Sequence, residues 1–185
     1  MIELRPATTA DAASVLAIYA PYVVASAVSF ELEPPSLKEM RARIAGAADQ
    51  YPWIVAIDAD SDVILGYAYA SQFRARPAYR FAAETSIYIA GNFQGQGIGR
   101  LLYPALLATL RAQRYAQAIG AITLPNDTSI KLHESVGFRR SGVYREVGYK
   151  NGRWFDVGLW QRDLAERQIP PPDIRPFSDV GVVRA

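Results

Sequence analysis

The sequence predicts a single α+β domain in which helices flank a mixed β-sheet. A chain of 185 residues with 50% hydrophobic residues fits one domain of ordinary size. Patterns typical of strands and helices follow in the order strand, two helices, three strands, helix, strand, helix and two strands, which is an α+β arrangement. No internal repeat or second domain is visible. We assign residues 1–164 to this domain and expect residues 165–185, which include three consecutive prolines, to form an extended tail.

A strand and two helices are predicted first. Residues 2–5 form a short strand. Thr9 and Asp11 can cap a helix whose apolar residues recur at helical spacing, and Pro21 limits its regular continuation. Residues 36–39, Ser-Leu-Lys-Glu, match a capping box, and the helix that follows has one apolar side.

A hairpin, a buried strand and an apolar helix follow. Residues 53–57 and 63–70 are rich in strand-forming residues and are separated by a short acidic stretch, which predicts a hairpin. After a polar and aromatic connection, residues 85–90 form a short, largely buried strand. The next helix is apolar and tolerates Pro104 only because this residue lies in the first turn or so. Residues 118–124 form another strand.

The last elements are a short helix and a second hairpin. Residues 129–136 form the helix, which Gly137 ends. Residues 140–150 and 154–164 are strands joined through Asn151-Gly152, the strongest short hairpin signal. The aromatic residues of the final strand indicate packing in the core or against a second copy of the chain, not a ligand platform.

Composition excludes several classes of function. Because the chain has no cysteine and only 1 histidine, it cannot form disulfides, iron–sulfur clusters or the usual zinc and copper sites, and we expect no metal. The 20 basic and 18 acidic residues form no long run of one sign, which disfavours nucleic acid as a partner. Without a signal peptide or an apolar span of membrane length, we expect a cytoplasmic protein with no membrane partner.

The segment with the clearest functional signal is the glycine-rich turn at residues 92–100, between a strand and a helix. Its glycines allow a ligand to approach the backbone, and the N-terminus of the following helix favours an anion such as pyrophosphate. It does not match the dinucleotide motif G-x-G-x-x-G, because Arg100 stands where the third glycine would be. From this turn alone, a glycine-rich connection without a ligand stays an alternative.

At this turn the sequence resembles the GCN5-related N-acetyltransferase (GNAT) family. The family's acetyl-CoA loop reads [QR]-x-x-G-x-[GA], which Gln94, Gly97 and Gly99 match. Residues 124–127, 132–138 and 148–158 extend the agreement, and together they resemble the phosphinothricin acetyltransferase subfamily. The resemblance covers roughly residues 2 to 164, and it implies a GNAT-like fold, a homodimer and acetyl-CoA as co-substrate.

The resemblance also implies which residues bind acetyl-CoA. The strand before the loop offers backbone groups to the pantetheine arm, the loop and the helix start take the pyrophosphate, and an asparagine contacts pantetheine. The residues of this sequence at those positions, with one further serine of the short helix, are Ile87, Tyr88, Ile89, Gln94, Gly95, Gln96, Gly97, Ile98, Gly99, Arg100, Asn126 and Ser135. Asn126 is also a typical turn residue before a helix.

Two residues are candidates for the chemistry. Glu84 occupies the position of the subfamily's proposed general base, which would deprotonate an ammonium so that the amine can attack the thioester. From the residues alone it would be a solvated charge at a strand end. His133 stands where many relatives have a tyrosine that protonates the departing thiolate. It can protonate that thiolate, help to deprotonate the amine, or be a structural histidine bonded to the backbone.

The predicted acceptor is a small amino acid or an analogue such as phosphinothricin or methionine sulfoximine. Phe30, Arg74, Arg76 and Tyr79 correspond to subfamily residues that line the substrate pocket, and guanidinium groups bind carboxylate or phosphinate oxygens. A solvated basic loop is the alternative for the arginines. Two other functions stay open, a peptide or protein N-terminal acetyltransferase and a catalytically silent CoA-binding module.

Overall fold

Seven strands form one sheet in the computed structural model, which describes residues 1–184. In chain order they are β1 (Ile2–Pro6), β2 (Trp53–Asp58), β3 (Val63–Gln72), β4 (Ala82–Ile89), β5 (Gln117–Thr123), β6 (Arg139–Lys150) and β7 (Arg153–Asp163). Their spatial order is β1-β2-β3-β4-β5-β7-β6. β4 and β5 run parallel and the other neighbours run antiparallel. The predicted mixed sheet is therefore confirmed.

Helices cover both faces of this sheet. They are α1 (Ala12–Ala25), α2 (Leu37–Ala47), α3 (Ile98–Ala112), α4 (Asp127–Ser135) and the short α5 (Phe177–Val180). α1 and α2 share a buried cluster with Val55 and Tyr67 of the sheet. α3 packs on the opposite face, against Ala68 and Ala118. In the described part of the chain, no helix has the length and apolarity that a membrane crossing requires.

The core under α3 positions the start of that helix. Leu102, Leu106 and Leu110, at helical spacing, are each 0% exposed and lie against the sheet. Each leucine buried in this way contributes about 1.5–3 kcal/mol relative to an exposed position. Since β4 leads into α3 through residues 90–97, this packing sets where the glycine-rich turn meets the end of β4.

Two local sequence signals are confirmed in detail. The Ser36 side chain accepts a hydrogen bond from the Glu39 backbone N–H at 3.2 Å, and the Glu39 carboxylate accepts one from the Ser36 N–H at 2.7 Å, which completes the capping box. Asn151 and Gly152 both have positive φ, 51° and 78°, as a tight hairpin turn requires. The β6–β7 hairpin therefore has the predicted register at its turn.

Both helix prolines lie deeper in their helices than predicted. α1 continues through Pro21 to Ala25, because the buried Val23 holds its last turn against the sheet. Pro104 lies inside α3, beyond its first turn, where the loss of one backbone hydrogen bond is outweighed by the buried leucines. Tertiary packing thus overrides the local preference at both positions.

The start of α1 and the start of β4 also differ from the prediction. Residues Thr9–Asp11 form a short 3₁₀ helix before α1, and the Asp11 carboxylate accepts hydrogen bonds from Arg5 at 2.7 and 2.8 Å and from the Thr8 N–H. Asp11 therefore stands at the predicted N-cap position of α1, but its side chain joins β1 and Thr8 instead of bonding the backbone of α1. β4 begins at Ala82, because Ala82 and Ala83 already pair with β5.

The C-terminal segment packs against α3 and is only partly extended. Phe177 begins the short helix α5 and is buried, and its N–H donates to the Asp49 carbonyl oxygen at 2.6 Å. The Gln113 side chain at the end of α3 donates to the Arg175 carbonyl oxygen at 3.0 Å. The predicted extended tail therefore contains a helical turn, because one buried aromatic side chain anchors it to the domain.

Candidate active site

A gap between β4 and β5 defines the candidate site. The two strands pair only at Ala82–Gln117, Ala83–Ala118 and Glu84–Ile119. Beyond Glu84, no β4 residue in the described chain has a partner on β5, although β4 stays paired with β3 as far as Ile89. The edge of β4 that faces β5 therefore has no strand partner along residues 85–89, and apart from the Ile89 carbonyl oxygen, which accepts from Tyr22, it is open to an extended ligand.

Two side-chain arrangements hold the strands apart at this point. The Thr85 hydroxyl donates to the Ile119 carbonyl oxygen at 3.1 Å and accepts from the Tyr103 hydroxyl at 2.8 Å. On β5, Gly120 lies against the ring of His133, where an added β-carbon would be 2.7 Å from Cδ2. A larger residue at 120 would displace the histidine, so the shape of the gap depends on this glycine.

The glycine-rich turn lies at the end of β4 that borders the gap. Gly95 and Gly97 have φ of 74° and 83°, and Gly97 is the N-cap of α3. A β-carbon at either position would meet no atom within 4 Å, so open space lies beside the backbone. Positive φ, open space and a helix N-terminus together suit an anionic group such as pyrophosphate.

Other residues of the predicted pyrophosphate loop have structural contacts of their own. The Gln94 side chain donates to the Tyr22 hydroxyl at 2.9 Å, and that hydroxyl donates to the Ile89 carbonyl oxygen at 2.6 Å. The Gln96 side chain donates to the Asn92 carbonyl oxygen at 2.9 Å. Gln94 and Tyr22 therefore join the turn to β4 and α1.

The start of α3 contributes in two ways. Gly99 gives α3 a close approach to α4, because its β-carbon would be 3.0 Å from Leu132. Ile98 is buried beneath the turn, whereas Arg100 is exposed. Only Arg100 of these three thus presents a charged side chain to solvent beside the turn.

Asn126 lies on the other side of the gap. Its Oδ1 accepts a hydrogen bond from the Ser129 N–H at 3.1 Å, so it is the N-cap of α4. It also lines a cavity of about 450 Å³ with Val28, Leu124 and Phe155. Ser135, at the far end of α4, is exposed and its hydroxyl donates to the Leu132 carbonyl oxygen at 2.7 Å. Asn126 and Ser135 therefore lie at opposite ends of one helix.

Glu84 lies where β4 and β5 separate. It is half-buried, opposite Ser71 on β3 and Ile119 on β5. Burial raises the pKa of its carboxyl group, and the positive charge of Arg74 lowers that pKa in part. A half-buried carboxyl with a raised pKa has the properties of a general base that takes a proton near neutral pH.

His133 is a buried histidine held by the backbone of its own helix. Its Nδ1 lies 2.8 Å from the Ser129 carbonyl oxygen, which can only accept, so Nδ1 carries the proton and Nε2 a lone pair. The ring packs perpendicular to Tyr103, at 4.9 Å between centroids, and against Phe138. Burial lowers the pKa of His133. This neutral form favours a structural role or a proton-accepting role over donation to a thiolate.

Three of the four predicted substrate residues are linked to β6, and the fourth, Arg76, is not. The Arg74 guanidinium donates to the Tyr144 hydroxyl at 3.1 Å and lies 5.8 Å from the Tyr79 ring centroid. Phe30 packs on the backbone of β6 at Gly148. Arg76 is exposed and its carbonyl oxygen accepts a hydrogen bond from the Tyr79 N–H at 3.0 Å, but among residues 1–184 its guanidinium has no hydrogen bond, ion pair or ring contact. Arg74 and Tyr79 are therefore brought together, whereas Arg76 is not.

Tyr144 and Tyr22 are candidate site residues that sequence analysis missed. Tyr144 binds Arg74 across 70 positions of sequence, and Tyr22 joins Gln94 to the end of β4 across 72. Each tyrosine is recognised as a site residue only through its long-range contact. The only local signals in the sequence were that Tyr22 follows a proline and that Tyr144 lies within a strand.

No metal site is present in the part of the chain that the structure describes, since no three acidic or histidine side chains are grouped there. The acidic stretch between β2 and β3 is a turn, in which Asp58 binds the Ser61 hydroxyl at 2.8 Å.

Known proteins share this architecture over nearly the whole chain. The family model of the acetyltransferase (GNAT) domain matches residues 4–159. A phosphinothricin N-acetyltransferase of Streptomyces viridochromogenes is 40% identical over 179 residues, which cover 97% of this chain and 96% of the relative. An L-methionine sulfoximine/L-methionine sulfone acetyltransferase of Pseudomonas aeruginosa is 36% identical, over 91% of this chain and 98% of the relative.

A solved structure agrees with these sequence matches. The phosphinothricin acetyltransferase of Sinorhizobium meliloti, in complex with AcCoA, superposes with a TM-score of 0.84 and 38% identity, over 91% of each chain. The free edge of β4 and the glycine turn described above are a fitting place for such a ligand.

Proposed function

Because the chain belongs to the GNAT acetyltransferase family and is an N-acetyltransferase that uses acetyl-CoA as co-substrate, we propose that it acetylates the amino group of a small anionic amino acid or analogue. Phosphinothricin and methionine sulfoximine are the model acceptors. The observation that carries the proposal is the position of Glu84, half-buried where β4 and β5 separate, with Arg74 close enough to affect its pKa.

In the proposed reaction Glu84 takes a proton from the acceptor ammonium, either directly or through water. The neutral nitrogen attacks the carbonyl carbon of the thioester, a C–N bond forms and the C–S bond breaks. The attacking nitrogen loses its second proton, which neutralises the CoA thiolate, so that the acetylated amine and CoA thiol leave. The chain has no cysteine, so the acetyl group passes directly to the amine without a thioester on the protein.

Acetyl-CoA would be held by the free edge of β4 and by the turn that follows it. Backbone groups of residues 87–89 would bind the extended pantetheine arm, and amide groups of residues 95–99 would bind the pyrophosphate. Arg100 would add a positive charge for the phosphates, and Asn126 would contact the arm from the opposite side. We assign His133 a positioning role, since its ring supports Gly120 on β5.

A substrate panel tests the proposed function. Thiol release from acetyl-CoA is measured with phosphinothricin, methionine sulfoximine, ordinary amino acids, polyamines and a short peptide with a free N-terminus. The small anionic amino acids are expected to give the highest kcat/KM. No turnover with any of them would overturn the proposal.

One observation keeps peptide N-termini as a second candidate acceptor. Among the described residues, Arg76 shares no contact with Arg74. The protein alone therefore does not bring the two guanidinium groups together to bind one anionic acceptor. Highest kcat/KM for the peptide in the same panel would favour this second function. No thiol release with any acceptor, together with tight acetyl-CoA binding, would indicate a silent binding module.

Removing the charge of Arg74 is expected to shift the acidic limb of the kcat/KM profile to higher pH. The Arg74 guanidinium lowers a Glu84 pKa that burial raises, so without it the pKa is higher. Glu84 acts as a base only when it is ionised. As the pH is lowered, the variant therefore loses activity at a higher pH than wild type does. The measurement is kcat/KM against pH for wild type, Arg74→Gln and the control Arg80→Gln. Identical limbs for wild type and Arg74→Gln would contradict the prediction.

We also propose that the chain forms a homodimer through the β6–β7 hairpin. β6 is an edge strand of the sheet. Tyr149 and Trp154 near the turn are 58% and 59% exposed, with ring centroids 5.2 Å apart, so Trp154 does not lie in the core of one chain, in contrast to the buried Trp160. An exposed aromatic pair that spans the edge strand β6 and its neighbour β7 is typical of a contact with another protein surface.

Trp154→Glu is expected to convert the dimer to a monomer, because a buried unpaired charge would face the partner chain. Light scattering after gel filtration should give about half the wild-type mass. Ile2→Glu on β1, the opposite edge of the sheet, is the control and should leave the mass unchanged. A monomeric wild-type protein would contradict the proposed dimer.

A further inference from the structure

Lys150, the last residue of β6, has a buried ammonium group. It is only 4% exposed, and its Nζ donates hydrogen bonds to the Val23 carbonyl oxygen at 2.6 Å and the Ser29 carbonyl oxygen at 2.7 Å. No carboxylate forms an ion pair with it among residues 1–184, and burial lowers its pKa. A buried charge requires such compensating bonds, and both go to the end of α1 and the loop after it.

The same loop contacts β6 a second time. The ring of Phe30 lies directly on Gly148, where an added β-carbon would overlap it. Gly148 and Lys150 are two residues apart on one strand and therefore share a face of the sheet. They hold two consecutive loop residues, Ser29 and Phe30. The loop that joins α1 to α2, residues 26–36, is thus fastened to the hairpin at adjacent points.

This loop also forms one wall of the cavity beside Asn126. Ser26, Ala27 and Val28 line that cavity, and Phe155 of β7 lies opposite. Its other connections include the Tyr19 hydroxyl, 2.7 Å from the Ser29 hydroxyl, the Phe155 ring, 6.3 Å from the Phe30 ring between centroids, and an exposed ion pair between Arg43 and Glu31. Exposed ion pairs contribute little to stability. Lys150 is therefore the main buried anchor that connects the loop to β6.

We propose that Lys150 is a positioning residue that holds the 26–36 loop, and with it Phe30, in the conformation that binds the amine acceptor. The inference rests on the proposed function in one respect, that Phe30 belongs to the acceptor site. It assigns Lys150 no contact with the reacting atoms. Loss of the anchor should affect the acceptor much more than acetyl-CoA, whose predicted contacts lie on β4 and α3.

The kinetic test compares Lys150→Met, which keeps a long apolar stem without donors, with Lys150→Arg, which keeps charge and donors. For Lys150→Met we expect the KM of the acceptor to rise roughly tenfold or more, because the acceptor site is no longer preorganised, while the KM of acetyl-CoA stays within about twofold. Lys150→Arg should restore part of the acceptor affinity. Equal effects on both substrates, or none, would overturn the proposal.

A double-mutant cycle tests the Phe30 contact independently of the kinetics. Gly148→Ala must displace the Phe30 ring in wild type, because the three atoms nearest to the added β-carbon all belong to that ring, and these atoms are gone when Phe30 is already alanine. The fall in melting temperature caused by Gly148→Ala should therefore be clearly smaller in the Phe30→Ala background. Equal effects in both backgrounds would show that the ring does not lie on β6 in solution and would overturn the proposal.

Amide hydrogen exchange distinguishes failure of this inference from failure of the proposed function. In folded Lys150→Met, exchange of residues 26–36 should be faster than in wild type, whereas exchange in α3 should be unchanged. If residues 26–36 exchange faster in Lys150→Met but the wild-type protein acetylates no small amino acid, the proposed function is contradicted and the anchoring role of Lys150 is not. Unchanged exchange of residues 26–36 would overturn the anchoring role of Lys150, whatever the enzyme acetylates.

Discussion

Glu84→Gln is expected to lower kcat about 10²- to 10⁴-fold, the usual contribution of a general base. Glutamine has nearly the same shape but cannot accept the proton of an ammonium group. The loss should be largest at low pH, where the acceptor is almost fully protonated. It should shrink as the pH rises and the free amine forms without help. The measurement is kcat and kcat/KM for the best acceptor across the pH range.

Two further measurements decide whether Glu84 acts as a base. Its replacement should leave the Kd of acetyl-CoA nearly unchanged, because the predicted coenzyme contacts lie beyond it on β4 and α3. Glu166→Gln, at an exposed position in the tail, is the control for loss of one negative charge and should have wild-type kinetics. A parallel loss of acetyl-CoA affinity in Glu84→Gln would instead indicate a structural glutamate.

Gly97→Val is expected to raise the KM of acetyl-CoA at least roughly tenfold, since 1.4 kcal/mol already corresponds to that factor. The φ of 83° at Gly97 costs a side-chain-bearing residue about 1–2 kcal/mol. In addition, the valine methyl groups would fill the open space where the pyrophosphate is proposed to bind. The KM of the amine at saturating acetyl-CoA should change much less. Initial rates with each substrate varied separately provide the measurement.

A matched control separates backbone strain from loss of the ligand site. Gly181 also has a positive φ, 67°, and a β-carbon there would meet no atom within 4 Å, but it lies in the tail after α5. Gly181→Ala should lower the melting temperature without changing the KM of acetyl-CoA. If Gly97→Val lowered only the melting temperature and left that KM unchanged, the turn would not be the pyrophosphate site.

Sequence reasoning succeeded where one short segment determines the structure. The Ser36 capping box and the Asn151-Gly152 turn depend on residues three or fewer positions apart, and both are present as predicted. The glycine turn before α3 was recognisable because its glycines satisfy a backbone requirement that few other residues meet. The mixed sheet and the element order were predicted from the succession of strand and helix patterns along the whole chain.

The sequence did not reveal features that depend on distant contacts. Lys150 appears as a charged residue at the end of a strand, and only the folded chain shows that Val23 and Ser29 enclose its ammonium. Trp154 has the pattern of a buried strand, yet at the start of β7, next to the edge strand β6, it is exposed to solvent. Pro21 and Pro104 lie inside helices because burial of neighbouring side chains outweighs a lost hydrogen bond.

The short β4–β5 pairing has a consequence for how the protein unfolds. Within the sheet, only three residue pairs among residues 1–184 join β4 to β5, and thus a four-stranded portion to a three-stranded portion. The other links are the helix α3 and side-chain contacts such as Arg74 to Tyr144 and Lys150 to Val23. A coenzyme bound in the gap as proposed would touch both portions at once, so part of its binding free energy would join them. We therefore expect the ligand-free sheet to open first along the line of the proposed coenzyme site, and the loaded enzyme to unfold more cooperatively.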